Sequence, residues 1–377
     1  MTDPTQRAWA YLSRVVEPPC EELGELVARV GPVEAADRVR RGQVDDILTR
    51  RTEARREIDC AVEDLELLNR RGGRLVTPED DEWPTLAFAA FNGAAAAKPQ
   101  GRRPLALWAL GPVRLDETTQ RSAAVVGTRA ASSYGEQVAA DLAGGLAEHD
   151  VAVISGGAYG IDGAAHRAAL AADGVTVAVL AGGLDIPYPA GHSALLHRIG
   201  TDGLLVTEYP PGVRPARHRF LTRNRLVAAF AGAAVVVEAG LRSGAANTAA
   251  WARALGRVVG AVPGPVTSSA SSGCHALLRS GAEVITRAED VVELVGRIGE
   301  LAPEQSRPAT PLDGLSDEER RVYEALPGSG VATVDQIAVA AAVEPARILG
   351  PLAMLEIAGL AERHSGCWRI VRNRAGP

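Results

Sequence analysis

Residues 123–157 read AAVVGTRAASSYGEQVAADLAGGLAEHDVAVISGG, and the alternation inside them decides the fold. A short β-branched run stops at Gly127, a helical stretch follows Ser133-x-x-Glu136, and a second β-branched run stops at Gly156-Gly157. Serine followed three residues later by glutamate is a capping box, so a helix is expected to open there. Strand runs without polar alternation have both faces covered, as parallel strands crossed by helices do. Working outward, the pattern returns in VTVAVLAGG (175–183), LLVTE (204–208), AVVVEAG (234–240) and RVVGAVPG (257–264). Together these runs predict an α/β fold, an extended Rossmann-like parallel sheet over residues 73–297, with ligands at the carboxyl ends of its strands.

The flanks differ in pattern. Residues 1–72 read as a helical domain, because apolar positions recur at helical spacing (Leu23, Leu26, Val27, Val30) and Gly31-Pro32 marks a stop. NGAAAAKPQGRR, around 92–103, reads as a flexible connector, and residues 298–314, with PEQSRPATP, as a polar linker. Residues 315–377 predict a winged helix. Ser316-x-x-Glu319 caps its first helix, a second follows Thr333, and a third runs from Pro345 to near Gly359. Two short strands then flank a turn at Ser365-Gly366.

Composition removes several classes of function. Lys98 is the only lysine, and it lies in the loop-like run AAAAKPQ, so the placed lysine of P-loop, PLP and Schiff-base enzymes is missing. Cys20, Cys60, Cys274 and Cys367 are scattered, which argues against a disulfide framework or a zinc site. No metal, cofactor or catalytic residue is expected. The first residues have no basic segment followed by an apolar one, and no apolar run approaches the roughly 20 residues that cross a bilayer, so a cytoplasmic protein without membrane contact is expected. Net charge is −6, yet residues 121–297 carry 15 basic against 14 acidic groups, and the basic ones cluster.

The most informative cluster is GVRPARHRFLTRNRLVAAFAG. It places Arg214, Arg217, Arg219, Arg223 and Arg225 together without an acid, and interleaves Phe220 and Asn224. Guanidinium groups fork onto phosphates while aromatic and amide groups stack on or bond to bases, a combination that suits single-stranded nucleic acid. Arginines at a helix N-terminus also oppose its dipole, which makes sense where an anion binds. Residues two apart on a helix diverge by about 200°, so TRNR is expected to form an irregular lead-in if Arg223 and Arg225 are to share one groove. Glu238, at the end of its strand, is either catalytic or, more simply, holds Arg223 or Arg225 in place, and Ser243 precedes the next helix. Gly127, Thr128 and Arg129 form either a small loop that lets backbone N–H groups approach an anion or simply a tight turn carrying a surface arginine. Asp162 and His166 lie four apart, either as a carboxylate–imidazole catalytic pair or, more simply, as structural groups.

Taken in order, VVGTR, SGGAYGIDGAAH, AGGLDIPYP, TEYPPG, FLTRNR, VVVEA with SGAANTA, and GRVVGAVPG resemble the DNA-processing protein A (DprA/Smf) family. That resemblance implies a non-enzymatic homodimer that binds and protects single-stranded DNA and helps load RecA recombinase in transformation or recombination. It implies that Gly127, Thr128, Arg129, Gly156, Gly157, Arg223, Asn224 and Arg225 are DNA-contacting or site-forming. Arg217, Arg219, Phe220 and Ser243 join them from the residue patterns above. The N-terminal segment resembles the family's SAM-like or helix-hairpin-helix domain. The alternative is a nucleotide-hydrolysing, phosphoribohydrolase-like enzyme on a related fold, whose Pro-Gly-Gly loop has no counterpart here.

Overall fold

The computed structural model describes residues 3–98, 100–296, 312 and 314–371. Two compact units emerge, residues 1–302 and 303–377. The first is built on nine strands: β1 (Gly73–Val76), β2 (Leu107–Leu110), β3 (Ser122–Val126), β4 (Ala152–Ser155), β5 (Thr176–Val179), β6 (Leu204–Thr207), β7 (Ala233–Val236), β8 (Val258–Ala261) and β9 (Glu283–Val284). They form one sheet in the order β1-β2-β6-β5-β4-β3-β7-β8-β9. Strands β3 to β9 are parallel to their neighbours among themselves, while β1 and β2 add an antiparallel margin beside β6.

All six expected strands are present, and their continuous apolar character has the expected cause. Along β3, Ala124 and Val126 enter the core on one face and Ala123 and Val125 the core on the other. Helices Arg217–Phe230 and Gly244–Ala254 cover the first face; Ser133–Glu148 and Ile161–Ala171 cover the second. The chain steps from β3 outward to β6, then returns to lay β7 on the other side of β3. The loops leaving β3 and β7 therefore part in opposite directions, which opens a crevice at their carboxyl ends.

Two sequence expectations change. Phe91–Ala97 is helical, not part of a flexible connector, because an Ala-rich run has high helix propensity and Phe91 and Ala94 are anchored in the core. The N-terminal helices share their core with the sheet: Tyr11, Leu12 and Leu23 belong to the same apolar cluster as Trp108, Leu180 and Leu205. Trp108 is fully buried and donates its indole N–H to Ser13 Oγ at 3.3 Å.

The second unit has three helices, Asp317–Glu324, Val334–Ala341 and Pro345–Ile357, and a hairpin of β10 (Ala361–His364) and β11 (Cys367–Ile370). Capping boxes at Ser316/Glu319 and Thr333/Gln336 open the first two helices. Ser365 and Gly366 both take positive φ, 54° and 82°, as a two-residue hairpin turn requires. This is the winged-helix arrangement expected. Of the expected linker, only residues 312 and 314 are described. Among the described residues no single helix is long and apolar enough to cross a membrane.

Candidate nucleic-acid interface

The crevice is a cleft of about 640 Å³ between the loops after β3 and β4, the helix Arg217–Phe230 and the start of the helix Gly244–Ala254. Its walls bring together Gly127, Thr128, Arg129, Gly156, Arg217, Phe220, Arg223, Asn224 and Ser243. Three other expected site residues lie elsewhere: Gly157, Arg219 and Arg225.

The loop after β3 is shaped from the neighbouring strand. Buried Glu238 accepts the Ser132 N–H at 2.9 Å and the Ser132 hydroxyl at 2.6 Å, and its carbonyl accepts the Thr128 N–H at 2.7 Å. Ser132, one residue before the expected position, is thus the helix cap, and its oxygen also accepts the Gly135 N–H at 3.1 Å. A Cβ at Gly127 would stand 2.3 Å from Ile161 Cγ1, so only glycine lets the loop sit so close to the next helix. Glu238 therefore braces the loop and not Arg223 or Arg225, the partners expected for it.

The TRNR segment is regular helix. Arg217–Phe230 is helical throughout, with Thr222–Arg225 spanning its second and third turns, so Arg223 and Arg225 point to different sides as the helical period demands. Arg223, 5% exposed, turns to the cleft floor and donates to the Val179 carbonyl at 2.5 Å. Its guanidinium lies against Gly156, where a Cβ would come within 2.2 Å of Nη1. Burial, with help from Arg129, pulls its pKa down to about 10 against the opposing pull of Asp162, so it stays charged at neutral pH. Arg225 is fully buried, donates to Glu208 at 2.6 Å, and lies over the Phe91 ring. Among the described residues it has no place in the cleft wall, which corrects its expected DNA contact.

Arg219 is held by Glu17, with Nε and Nη2 donating at 2.7 and 2.9 Å, and its guanidinium covers the Tyr209 ring. Arg55 and His218 also reach Glu17. Burial raises the Glu17 pKa, but the bonds from Arg219 and Arg55 outweigh it and the net shift is downward. Gly157 takes φ 72° and gives its carbonyl to the His192 ring. The conformation fits glycine, and the role is to turn the chain under the cleft.

Cations without an acidic partner among the described residues remain at the cleft: Arg129, Arg217 and Arg242, all exposed. Arg129 stacks over the Phe220 ring at 5.0 Å, and Tyr188 meets the same ring at 5.5 Å. Ser243 caps the helix Gly244–Ala254 by accepting the Ala246 N–H at 3.2 Å, so that helix presents its N-terminus to the cleft. Asn224 donates to the Gly244 carbonyl and to Asn247 Oδ1, tying the two helices together. Arg242 was not singled out from sequence, although an arginine just before a helix cap carries the same anomaly that drew attention to the Arg217–Arg225 run.

Asp162 and His166 do not act together. Asp162 accepts the Ala158 N–H at 3.3 Å; its pKa is raised by burial and lowered by Arg223, with burial the stronger. His166 Nδ1 meets the Thr176 hydroxyl at 2.7 Å, and burial pulls its pKa down to about 3, so the ring is neutral. The arrangement offers guanidinium groups, a helix N-terminus and an aromatic face to an anionic, base-bearing ligand.

Residues 74–296 match the family described as DNA recombination-mediator protein A, and residues 306–367 match the DprA winged helix domain. A putative DNA processing protein DprA of Mycobacterium tuberculosis is 75% identical over 377 residues, covering 100% of this chain and 97% of that protein. The X-ray structure of DNA processing protein A from Streptococcus pneumoniae is similar with TM-score 0.61 and 28% identity, covering 78% of this chain and 98% of that one. A Helicobacter pylori DNA processing protein A, whose structure was described for its single-stranded DNA binding mode, gives TM-score 0.50 and 28% identity over 58% of this chain and 94% of its own.

Proposed function

The chain belongs to the DNA recombination-mediator protein A family, and from that premise we propose that it binds single-stranded DNA in the arginine-lined cleft as a non-enzymatic mediator of DNA processing. The observation that carries this is the convergence of Arg129, Arg217 and Arg242, none with an acidic partner among the described residues, on one cleft with Phe220 and the N-terminus of Gly244–Ala254. Unpaired exposed arginines repel one another unless an anion joins them, and a polyphosphate strand supplies several anions at once. Two acids among the described residues support a binding role: Glu238, behind the loop after β3, is committed to Ser132, and Asp162, in the cleft lining, accepts the Ala158 N–H. Protection of the strand, its handing to RecA recombinase, homodimer formation and a cytoplasmic setting are supported by the family likeness alone.

Replacing Arg129, Arg217 and Arg242 together by alanine tests the assignment. Single-strand affinity is expected to collapse, and the slope of log K against log salt to flatten by roughly 0.7 for each phosphate no longer neutralised. The melting temperature should stay put, since the three side chains are exposed. Unchanged affinity in the triple variant would mean that the strand binds elsewhere.

A further inference from the structure

Aromatic residues make up only 4% of the chain. Among the described residues, the tyrosines with large exposed area are Tyr134 (40%), Tyr159 (46%) and Tyr188 (45%). Each follows a strand at the carboxyl edge of the sheet: Tyr134 after β3, Tyr159 after β4 and Tyr188 after β5. Exposed tyrosines scattered singly over a surface need no explanation, but these gather on the edge that carries the cleft.

Two of them share a hollow. Tyr159 and Tyr188 line it with Pro189, Ala158 and Phe220, and Arg129 stands on the rim common to the hollow and the main cleft. The Tyr159 ring is held in place: its hydroxyl accepts the Gly191 N–H at 3.2 Å, and its ring meets His192 at 4.7 Å and 72°. A Cβ at Gly191 would stand 2.4 Å from that hydroxyl, so the backbone there is fitted to the ring. Tyr188 is steadied by Phe220 at 5.5 Å, and Arg129 covers Phe220 from 5.0 Å. A rigid aromatic surface loses little freedom when a flat ring settles on it, and stacking accepts the π-face of any base.

We infer that Tyr159 and Tyr188 form a stacking subsite for one unpaired nucleobase, next to the nucleotide whose phosphate Arg129 takes. The inference rests on the single-strand reading of the cleft and deepens it: the strand leaves the arginines across the loops after β4 and β5. Paired bases inside a duplex present no free face to this hollow. The subsite is therefore where unpaired and paired strands are told apart, while the arginines attract both.

The test compares an oligo-dT with a sugar–phosphate oligomer of the same length and charge that lacks bases, by fluorescence anisotropy on the full chain. The parent should prefer oligo-dT. In Tyr159→Ala/Tyr188→Ala that preference should shrink by roughly 5- to 150-fold, the range of one base stack, with affinity for the abasic oligomer falling far less. Tyr188→Ala alone, which leaves the Tyr159–Gly191 bond intact, should lose part of the preference, and Tyr159→Phe/Tyr188→Phe should retain most of it. Equal binding of the two oligomers by the parent, or a full preference in both alanine variants, overturns the subsite while leaving the cleft in place. A parent that binds neither oligomer overturns the cleft reading and the subsite together.

Discussion

Arg225→Met separates a structural arginine from a DNA-contacting one. Arg225 and Glu208 are 0% and 3% exposed at their side chains and joined at 2.6 Å. Methionine fills much of the space but leaves the Glu208 carboxylate buried without its cation. Breaking one partner of such a pair costs about 3–5 kcal/mol, whereas replacing both with apolar groups of similar volume is near neutral. Burial already raises the Glu208 pKa against the pull of Arg225, and removing that cation pushes it further up. The sign of the pH dependence follows. A carboxyl whose folded pKa is raised is fully compatible with folding below its unfolded value near pH 4. Its cost then grows by about 1.4 kcal/mol per pH unit until the folded pKa is reached. Denaturant unfolding of Arg225→Met should therefore show a loss of stability that is small near pH 4.5 and largest at neutral pH. Arg225→Met/Glu208→Leu should recover most of it, with little pH dependence. Single-strand affinity of the folded variants should match the parent's. A variant as stable as the parent but with DNA affinity lost by tenfold or more would return Arg225 to the binding surface.

Two further outcomes follow from the cleft floor and the division of the chain. Gly156→Ala should displace the Arg223 guanidinium from the Val179 carbonyl, losing a charge-assisted bond worth about 1.5–3 kcal/mol; in a double-mutant cycle with Arg223→Ala, measured by chemical denaturation, the two losses should fail to add, and strict additivity would mean the two residues do not meet. A chain ending near residue 300 should keep its single-strand affinity, because every wall of the cleft belongs to the first unit, and loss of most affinity with circular dichroism unchanged would move the site to the winged helix.

The sheet was legible because its strands are buried on both faces and say so in runs such as AVVV and VAVI. Gly127 and Gly156 were legible as lining residues of the cleft for a related reason: each run stops where the chain turns at the carboxyl edge of the sheet. Arg219 and Arg225 were not. Nothing in FLTRNR distinguishes an arginine that meets a phosphate from one that meets an acid brought in by the fold, and here Glu17 arrives from the connection after the helix Pro4–Val15 and Glu208 from the residue after β6. Glu238 misled in the complementary way, since an acid ending a strand next to an arginine run invites pairing across that gap. Its two bonds to Ser132 depend on β3 and β7 lying side by side, which the order of strands in the chain does not state. The shared core of the N-terminal helices and the sheet was hidden likewise, because Ser13 and Trp108 meet only in three dimensions.

Whether the cleft takes single strands in preference to duplex is read by titrating the full chain with one oligonucleotide, single-stranded and as a blunt duplex, at matched salt. The single strand should bind more tightly, with log K falling against log salt at roughly −0.7 per phosphate neutralised. Equal affinity for the duplex at every salt concentration would contradict it.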